Sequence, residues 1–104
     1  MDHSIFRGDT ALFRLEVKDR LKGAVNVEGW SFVLSCARQV GGTVIFDVDG
    51  VISDAAAGVV TFELTPAQTA EVGLFFYDVQ GTTPGGQIYT VDSGRINITQ
   101  DITP

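Results

Sequence analysis

The sequence is poor in the residues from which many catalytic and metal sites are built. Its 104 residues include one cysteine and one histidine, and no lysine follows Lys22. A single cysteine, Cys36, cannot form an internal disulfide or, by itself, a cysteine-based zinc site. His3 has no second histidine with which to share a metal ion and no neighbouring serine pattern for a catalytic triad. We therefore expect no metal and no cofactor.

Long apolar segments are also missing. No run of 18 apolar residues occurs, and the N-terminal MDHSIFRGD has neither the basic start nor the apolar centre of a secretion signal. These absences predict a soluble protein that does not cross a membrane. The length predicts one domain spanning residues 1–104, and the 44% of hydrophobic residues suffices for one core.

Positive charge is scarce in the second part of the chain. The net charge is −6, and beyond Arg38 eight acidic residues are accompanied by one basic residue, Arg95. Because binding to nucleic acid draws its affinity from phosphate contacts, this balance argues against a nucleic-acid partner. If charge selects a partner, the C-terminal two-thirds should favour a basic surface.

Apolar and polar residues alternate along most of the chain, as is typical of half-buried strands. In residues 10–18, Phe13, Leu15 and Val17 share one face. Similar alternation marks residues 30–39, 43–49, 58–64, 73–80 and 87–100, and residues 51–58 form a shorter, weaker segment. About seven strands at intervals of roughly ten residues predict an all-β fold, an antiparallel β-sandwich. Cys36 lies within this alternation, so we expect a buried structural thiol.

Two irregularities interrupt the alternation. Thr65 is a suitable helix N-cap and Pro66 suits the first helical position, so TPAQTAEV predicts one short helical crossover between strands. In residues 87–100 the inward set changes parity, from Tyr89 and Val91 to Ile96 and Ile98. A β-bulge near Ser93 and Gly94 would absorb the extra residue.

The stretch TVIFDVDGVISD (43–54) resembles the first motif of haloacid dehalogenase phosphatases, in which Asp47 would be the nucleophile and Asp49 the general acid. Such a site needs a lysine beside the phosphoryl group and further acids for magnesium, and the chain lacks both a later lysine and a later acidic pair. The 54 residues after Gly50 are also too few for the parallel sheet of that fold. We therefore interpret the stretch as a strand with Val44, Phe46 and Val48 inward, ending in an Asp-Gly turn.

Calcium is a second interpretation of this stretch, because Asp47, Asp49 and Asp54 are close in sequence. The EF-hand pattern fails, since Ile45 and Ala56 stand where acidic ligands belong. A loose calcium site at the edge of the sandwich stays open as an alternative.

Several residues of the opposite parity should face solvent. They are candidates for contact with a partner: Leu12, Val33, Ile45, Asp47 and Asp49. The competing interpretation for the apolar members is that they are scattered surface hydrophobes, which are normal in soluble proteins.

A family resemblance is carried by the order of five segments. These are RGDTALFRLEVKD, VNVEGWSFVLSCARQ, AAAGVVTFELTPAQTA, GLFFYDVQ and IYTVDSGRINIT, which together span most of residues 7–99. In this order the chain resembles the immunoglobulin-like domain of phage baseplate upper proteins and related tail and fibre proteins. The resemblance implies an immunoglobulin-like antiparallel β-sandwich that carries no catalytic residues.

Function follows as an expectation from this resemblance. It implies a non-enzymatic virion structural protein, an assembly or adaptor module of the tail, baseplate or fibre attachment, made in the host cytoplasm. Its partners would be other virion proteins, bound in a symmetric multi-copy assembly. Two alternatives remain: a capsid decoration protein, or a carbohydrate-binding module in which Phe76 joins Trp30 or Tyr89 as a sugar platform.

Overall fold

A computed structural model of the chain describes residues 2–19 and 21–100, and of Asp2 only the backbone. It contains eight strands: β1 (Asp2–Phe6), β2 (Ala11–Glu16), β3 (Ser31–Ala37), β4 (Val44–Asp49), β5 (Val51–Asp54), β6 (Val59–Leu64), β7 (Gly73–Thr82) and β8 (Ile88–Thr99). They form a five-stranded sheet in the order β1-β8-β7-β3-β4 and a three-stranded sheet in the order β2-β6-β5. The prediction of an all-β sandwich is confirmed.

The hydrophobic core lies between the two sheets and is supplied by the alternating residues. Phe32, Leu34 and Cys36 are buried from β3, and Phe62 and Leu64 from β6. Further core residues come from the other strands: Ile5, Phe13, Val48, Val60, Phe75, Tyr77, Val79, Ile96 and Ile98. Burying one such side chain contributes about 1.5–3 kcal/mol, so the period-two pattern determines which face of each strand turns inward.

The N-terminal segment forms a strand that the alternation did not predict. β1 pairs with β8 in parallel, with Ile5 opposite Ile98, whereas the other described pairings are antiparallel. This parallel pairing departs from the predicted antiparallel sandwich, and β1 is an eighth strand beside the seven segments that the alternation marked. Among the described side chains of β1, residues 3–6, only Ile5 is buried, so the segment carries too short an apolar pattern to be recognised.

The predicted helical crossover is wrong. Residues 65–72 form turns, in which the Thr65 carbonyl accepts the backbone N–H groups of Gln68 and Thr69 at 3.0 and 3.2 Å. The Thr65 N–H in turn donates to Gln68 Oε1 at 2.9 Å. These hydrogen bonds between Thr65 and Gln68 form a single turn, and no helix continues from it. A helix long and apolar enough to cross a membrane is not found in the described part of the chain.

Two β-bulges shift the register of the five-stranded sheet. Between β3 and β4, Cys36 pairs with Phe46 and Ala37 with Val44, so Ile45 is the extra residue. The bulge moves Val44 to the outer face, where 49% of its surface is exposed, and the prediction that Val44 faces the core is wrong. Between β7 and β8 the register shifts at Val91, close to but not at the predicted pair of residues, Ser93 and Gly94.

Gly50 takes the chain from one sheet to the other. It is the single residue between β4, at the edge of the large sheet, and β5, at the edge of the small one. A Cβ atom there would lie 2.8 Å from both Phe62 Cε1 and Val60 Cγ1, so the crossing leaves no room for a side chain. The Asp49-Gly50 pair is therefore a corner between sheets and not the turn of a β-hairpin.

Candidate interaction surface

The face of the five-stranded sheet that points away from the core, here called the outer face, is organised in three rows across the strands. The first row is Arg95, Phe76, Ala37 and Val44, the second is Ser93, Asp78, Ser35 and Asp47, and the third is Gln80, Val33 and Asp49. Residues directly opposite one another on one face of a sheet lie about 5 Å apart, so each row is a continuous strip of side chains.

Apolar side chains gather at the first row. Leu74, Val44 and Ile45 are each exposed to nearly half of their surface. Phe76 is partly exposed within the row, and Leu74 lies in the adjacent row of the same strand. A groove of about 410 Å³ lies beside this row, under the turn that joins β3 to β4. Its walls include Ala37, Val40, Val44, Phe76, Asp78 and Arg95. This end of the outer face offers an apolar contact with a depression next to it.

Acidic side chains occupy the second and third rows. Asp47 and Asp78 lie on either side of Ser35, and Asp49 is in the next row of the same strand as Asp47. The Ser35 hydroxyl donates to Asp47 Oδ1 at 2.9 Å, which holds that carboxylate on the sheet. Asp47 and Asp49 are exposed and Asp78 is partly exposed, so the face combines an apolar end with three carboxylates.

Four of the five residues selected from the sequence are on this part of the molecule, and one is not. Val33, Asp47 and Asp49 share the outer face, and Ile45 lies at the bulge on its edge. Leu12 pairs with Glu63 on the three-stranded sheet and is 69% exposed there. Parity alone identified outward residues, but it could not indicate which of the two sheets each of them would cover.

Sequence reasoning missed three residues of the surface: Leu74, Phe76 and Asp78. In the segment GLFFYDVQ the structure buries Phe75 and Tyr77, which turns the three missed residues outward. The pairing of this segment with β3 would have identified them, because it places Asp78 beside the outward residue Ser35.

His3, for which the sequence predicted neither a metal site nor a catalytic triad, takes part in a cluster of polar and aromatic side chains. Its ring stacks on Phe13 with 4.0 Å between centroids, and its Nε2 lies 3.2 Å from the Tyr77 hydroxyl. That hydroxyl donates to Asp92 Oδ2 at 2.9 Å, so its oxygen is the acceptor of the hydrogen bond from the His3 Nε2–H group. The cluster ties β1, β7 and β8 to β2.

The three aspartates considered for calcium are not gathered into one site. Asp47 accepts the Ser35 hydroxyl on the outer face, whereas Asp54 Oδ1 accepts the Ala57 N–H at 3.2 Å in the turn after β5. Within residues 2–19 and 21–100, no three His, Cys, Asp or Glu side chains are grouped so that they could hold a metal ion. Asp54 instead stabilises a local turn.

No protein-family model matches the chain, and no curated protein sequence matches it. Any family assignment therefore rests on the residues of this chain.

Proposed function

We propose that this chain is a non-enzymatic structural protein of a phage particle that serves as an assembly or adaptor module in the tail, baseplate or fibre attachment. The segment order quoted above supplies the resemblance to phage proteins. The surface supplies the mode of action, which is docking of the outer face onto another virion protein. The combined apolar and acidic outer face is the observation that carries this docking.

The finer fold in this proposal is immunoglobulin-like. Strand order supports it: a β2-β6-β5 sheet faces a sheet in which β3, β7 and β8 are neighbours and β4 is added at the edge. Immunoglobulin-type sandwiches place their second, fifth and fourth strands in one sheet and their third, sixth and seventh in the other. The observed order resembles that arrangement when β4 is counted as an additional edge strand. β1 differs, because it pairs with β8 and not with β2, beside which the first strand of a constant-type sandwich lies.

The occupant of the outer face is a protein surface with an apolar centre and basic residues beside it. Leu74, Phe76 and Val44 would bury apolar area at the centre of the contact. Asp47, Asp49 and Asp78 would meet Lys or Arg at its border, where charge sets orientation and association rate more than affinity. Many symmetric copies would make a modest single contact sufficient.

The test uses phage particles assembled without this protein and the purified chain added back. Wild-type chain should co-sediment with the particles, and the Leu74→Asp and Phe76→Asp variants should not, because a carboxylate placed in the apolar centre loses its hydration on docking. Leu12→Asp is the matched control, since it makes the same change at an exposed leucine on the other sheet. Retention of binding by Leu74→Asp and Phe76→Asp, or equal loss by Leu12→Asp, would contradict the docking surface.

Image reconstruction of the decorated particles then locates the chain. Density at the tail, baseplate or fibre attachment agrees with the proposal, whereas density on the capsid shell would favour the decoration alternative.

A further inference from the structure

A second cleft lies on the core side of the large sheet, at the end of the sandwich where β7 turns into β8. Its volume is about 690 Å³, and its walls come from residues 17–19 and Val25 on one side and the β7–β8 hairpin on the other. The residues that matter in it are Trp30, Tyr89, Lys18, Asp19, Gln87 and Thr90. Tyr89 pairs with Gly81 and faces away from the outer face, whereas Thr90 pairs with the outer-face residue Gln80 and lies at the border of the cleft.

The cleft contains a stack of aromatic rings. Trp30 lies between Phe32 and Tyr89, with centroid distances of 5.9 and 6.3 Å and interplanar angles of 16° and 26°. Phe32 at one end is buried, whereas Tyr89 at the other is 51% exposed, so the stack runs from the core out to solvent. Aromatic rings held in this way form a rigid apolar platform that loses little entropy when a ligand binds.

Gly81 makes this stack sterically feasible. It pairs with Phe32 on β3 and with Tyr89 on β8. A Cβ atom on Gly81 would lie 2.8 Å from Phe32 Cε1 and 3.3 Å from Trp30 Cε3. The ring of Phe32 therefore lies over the backbone of a glycine, and Phe32 and Tyr89 belong to strands, whereas Trp30 directly precedes β3.

Polar groups border the platform without giving it net charge. The Thr83 hydroxyl donates to Gln87 Oε1 at 3.4 Å, which positions the amide and leaves its NH₂ group outside that bond. Asp19 Oδ1 accepts the N–H groups of Leu21 and Gly23, both at 2.9 Å, which fixes the opposite wall. Among the described residues of the lining, Lys18 is balanced by Asp19.

We propose that this cleft binds a neutral carbohydrate, with a pyranose ring stacked on the exposed ring of Tyr89, which Trp30 supports from the other side. A pyranose presents an apolar C–H face and a rim of hydroxyl groups, which matches a flat aromatic wall bordered by an amide and a hydroxyl. A nucleic acid fits less well, because one balanced lysine offers little attraction to phosphates. Phe76 takes no part, since it lies on the outer face, so the platform pairs Trp30 with Tyr89.

The test exploits Trp30, which is the single tryptophan of the chain, so tryptophan emission reports on this cleft. An array of neutral gluco-, galacto-, manno- and N-acetylglucosamine oligosaccharides is probed first, and the oligosaccharide that binds is titrated against Trp30 emission. Binding should saturate, and Tyr89→Ala should weaken it about tenfold or more. Phe76→Ala should leave the affinity unchanged, since it removes an aromatic ring from the other face.

Three outcomes would overturn the proposal: no oligosaccharide on the array binds, binding leaves Trp30 emission unchanged, or the Tyr89→Ala variant binds with the same affinity as the wild type. The circular dichroism spectrum and melting temperature of Tyr89→Ala must match the wild type, and Tyr89→Phe, which keeps the ring, should retain binding if Tyr89→Ala proves unfolded. Binding here is independent of docking, because Tyr89→Ala should still co-sediment with particles.

Discussion

At the scale of single residues, Gly58 lies where the fold leaves no room for a side chain. Gly58 has a φ of 69°, and a Cβ atom there would lie 2.6 Å from the Val25 carbonyl oxygen and 2.7 Å from that of Val17. Its own carbonyl accepts the Val17 N–H at 2.8 Å. The turn between β5 and β6 thus packs directly on the segment that follows β2.

We predict that Gly58→Ala lowers the free energy of unfolding by more than about 2 kcal/mol, since it combines left-handed backbone strain with a clash against two carbonyl groups. Gly41→Ala is the matched control: its φ of 75° is similar, but nothing lies within 4 Å of the added carbon. The control should lose about 1 kcal/mol from backbone strain alone. Urea denaturation measures both, and equal losses would contradict the steric explanation.

The buried thiol of Cys36 gives a pH-dependent prediction. Burial raises its pKa to about 11 from a usual value of 9.0. Below pH 9 the thiol is protonated in both the folded and the unfolded chain, so the stability does not depend on pH through this group. Between pH 9 and 11 the thiol ionises only in the unfolded chain. The free energy of unfolding should therefore fall by about 1–3 kcal/mol over this interval through Cys36.

Urea denaturation at pH 8, 9, 10 and 11 tests this, with Cys36→Ala as the comparison. The alanine variant is less stable throughout because it leaves a small cavity, but its stability should fall less between pH 9 and 11. Parallel pH profiles for the two proteins would rule out the ionisation of Cys36 as a cause.

At the scale of elements, the connection between β6 and β7 is held by a buried threonine and not by a helix. Thr69 is fully buried, and its hydroxyl donates to the Asp9 carbonyl at 2.7 Å, which joins this connection to the turn between β1 and β2. The Gly8 N–H donates to the Thr69 carbonyl at 2.9 Å and adds a second link.

We predict that Thr69→Val destabilises the protein by about 1–3 kcal/mol, because the shape is kept while the Asp9 carbonyl loses its donor. Thr61→Val is the control: its hydroxyl donates to the Val51 carbonyl at 3.3 Å in a more exposed setting. Water can replace that bond, so the control should lose under about 1 kcal/mol. Thermal denaturation distinguishes them, and equal melting temperatures for the two variants would contradict the assignment.

Some of the strands could be predicted from the sequence alone and others could not. Strands with three or more alternating apolar residues, such as β2, β3 and β6, were predictable because burial of one face requires that period. β1 was not, since its pairing with β8 depends on residues more than 90 positions away. The false helix arose because Thr65 and Pro66 satisfy a helix start locally, whereas continuation depends on tertiary packing.

The same distinction applies to the candidate surface. Parity was sufficient to turn Val33, Asp47 and Asp49 outward, because each alternates with a buried neighbour. Separating them from Leu12 required strand order, which is a property of pairings between distant segments. The bulge at Ile45 could not be predicted either. A bulge changes which residues pair between β3 and β4, and this pairing is not visible in the sequence of β4 alone.

At the scale of the whole molecule, the two faces of the five-stranded sheet serve different proposed roles. The outer face joins an apolar end to three carboxylates, and the inner face ends in the aromatic cleft beyond the main core. Because the sheet lies between them, a ligand in the cleft and a protein on the outer face could be bound at the same time.

The proposed docking of the acidic outer face should depend on salt concentration. Association with particles that lack the protein should weaken as ionic strength rises, since exposed charges are screened over about 10 Å at 0.1 M salt. Asp47→Asn combined with Asp49→Asn should reduce this salt dependence. Glu28→Gln combined with Glu63→Gln is the control, because it removes the same charge from exposed positions outside the outer face. Co-sedimentation across a salt series measures the effect, and identical salt dependence for the two double variants would leave net charge, and not the outer face, as the source of the attraction.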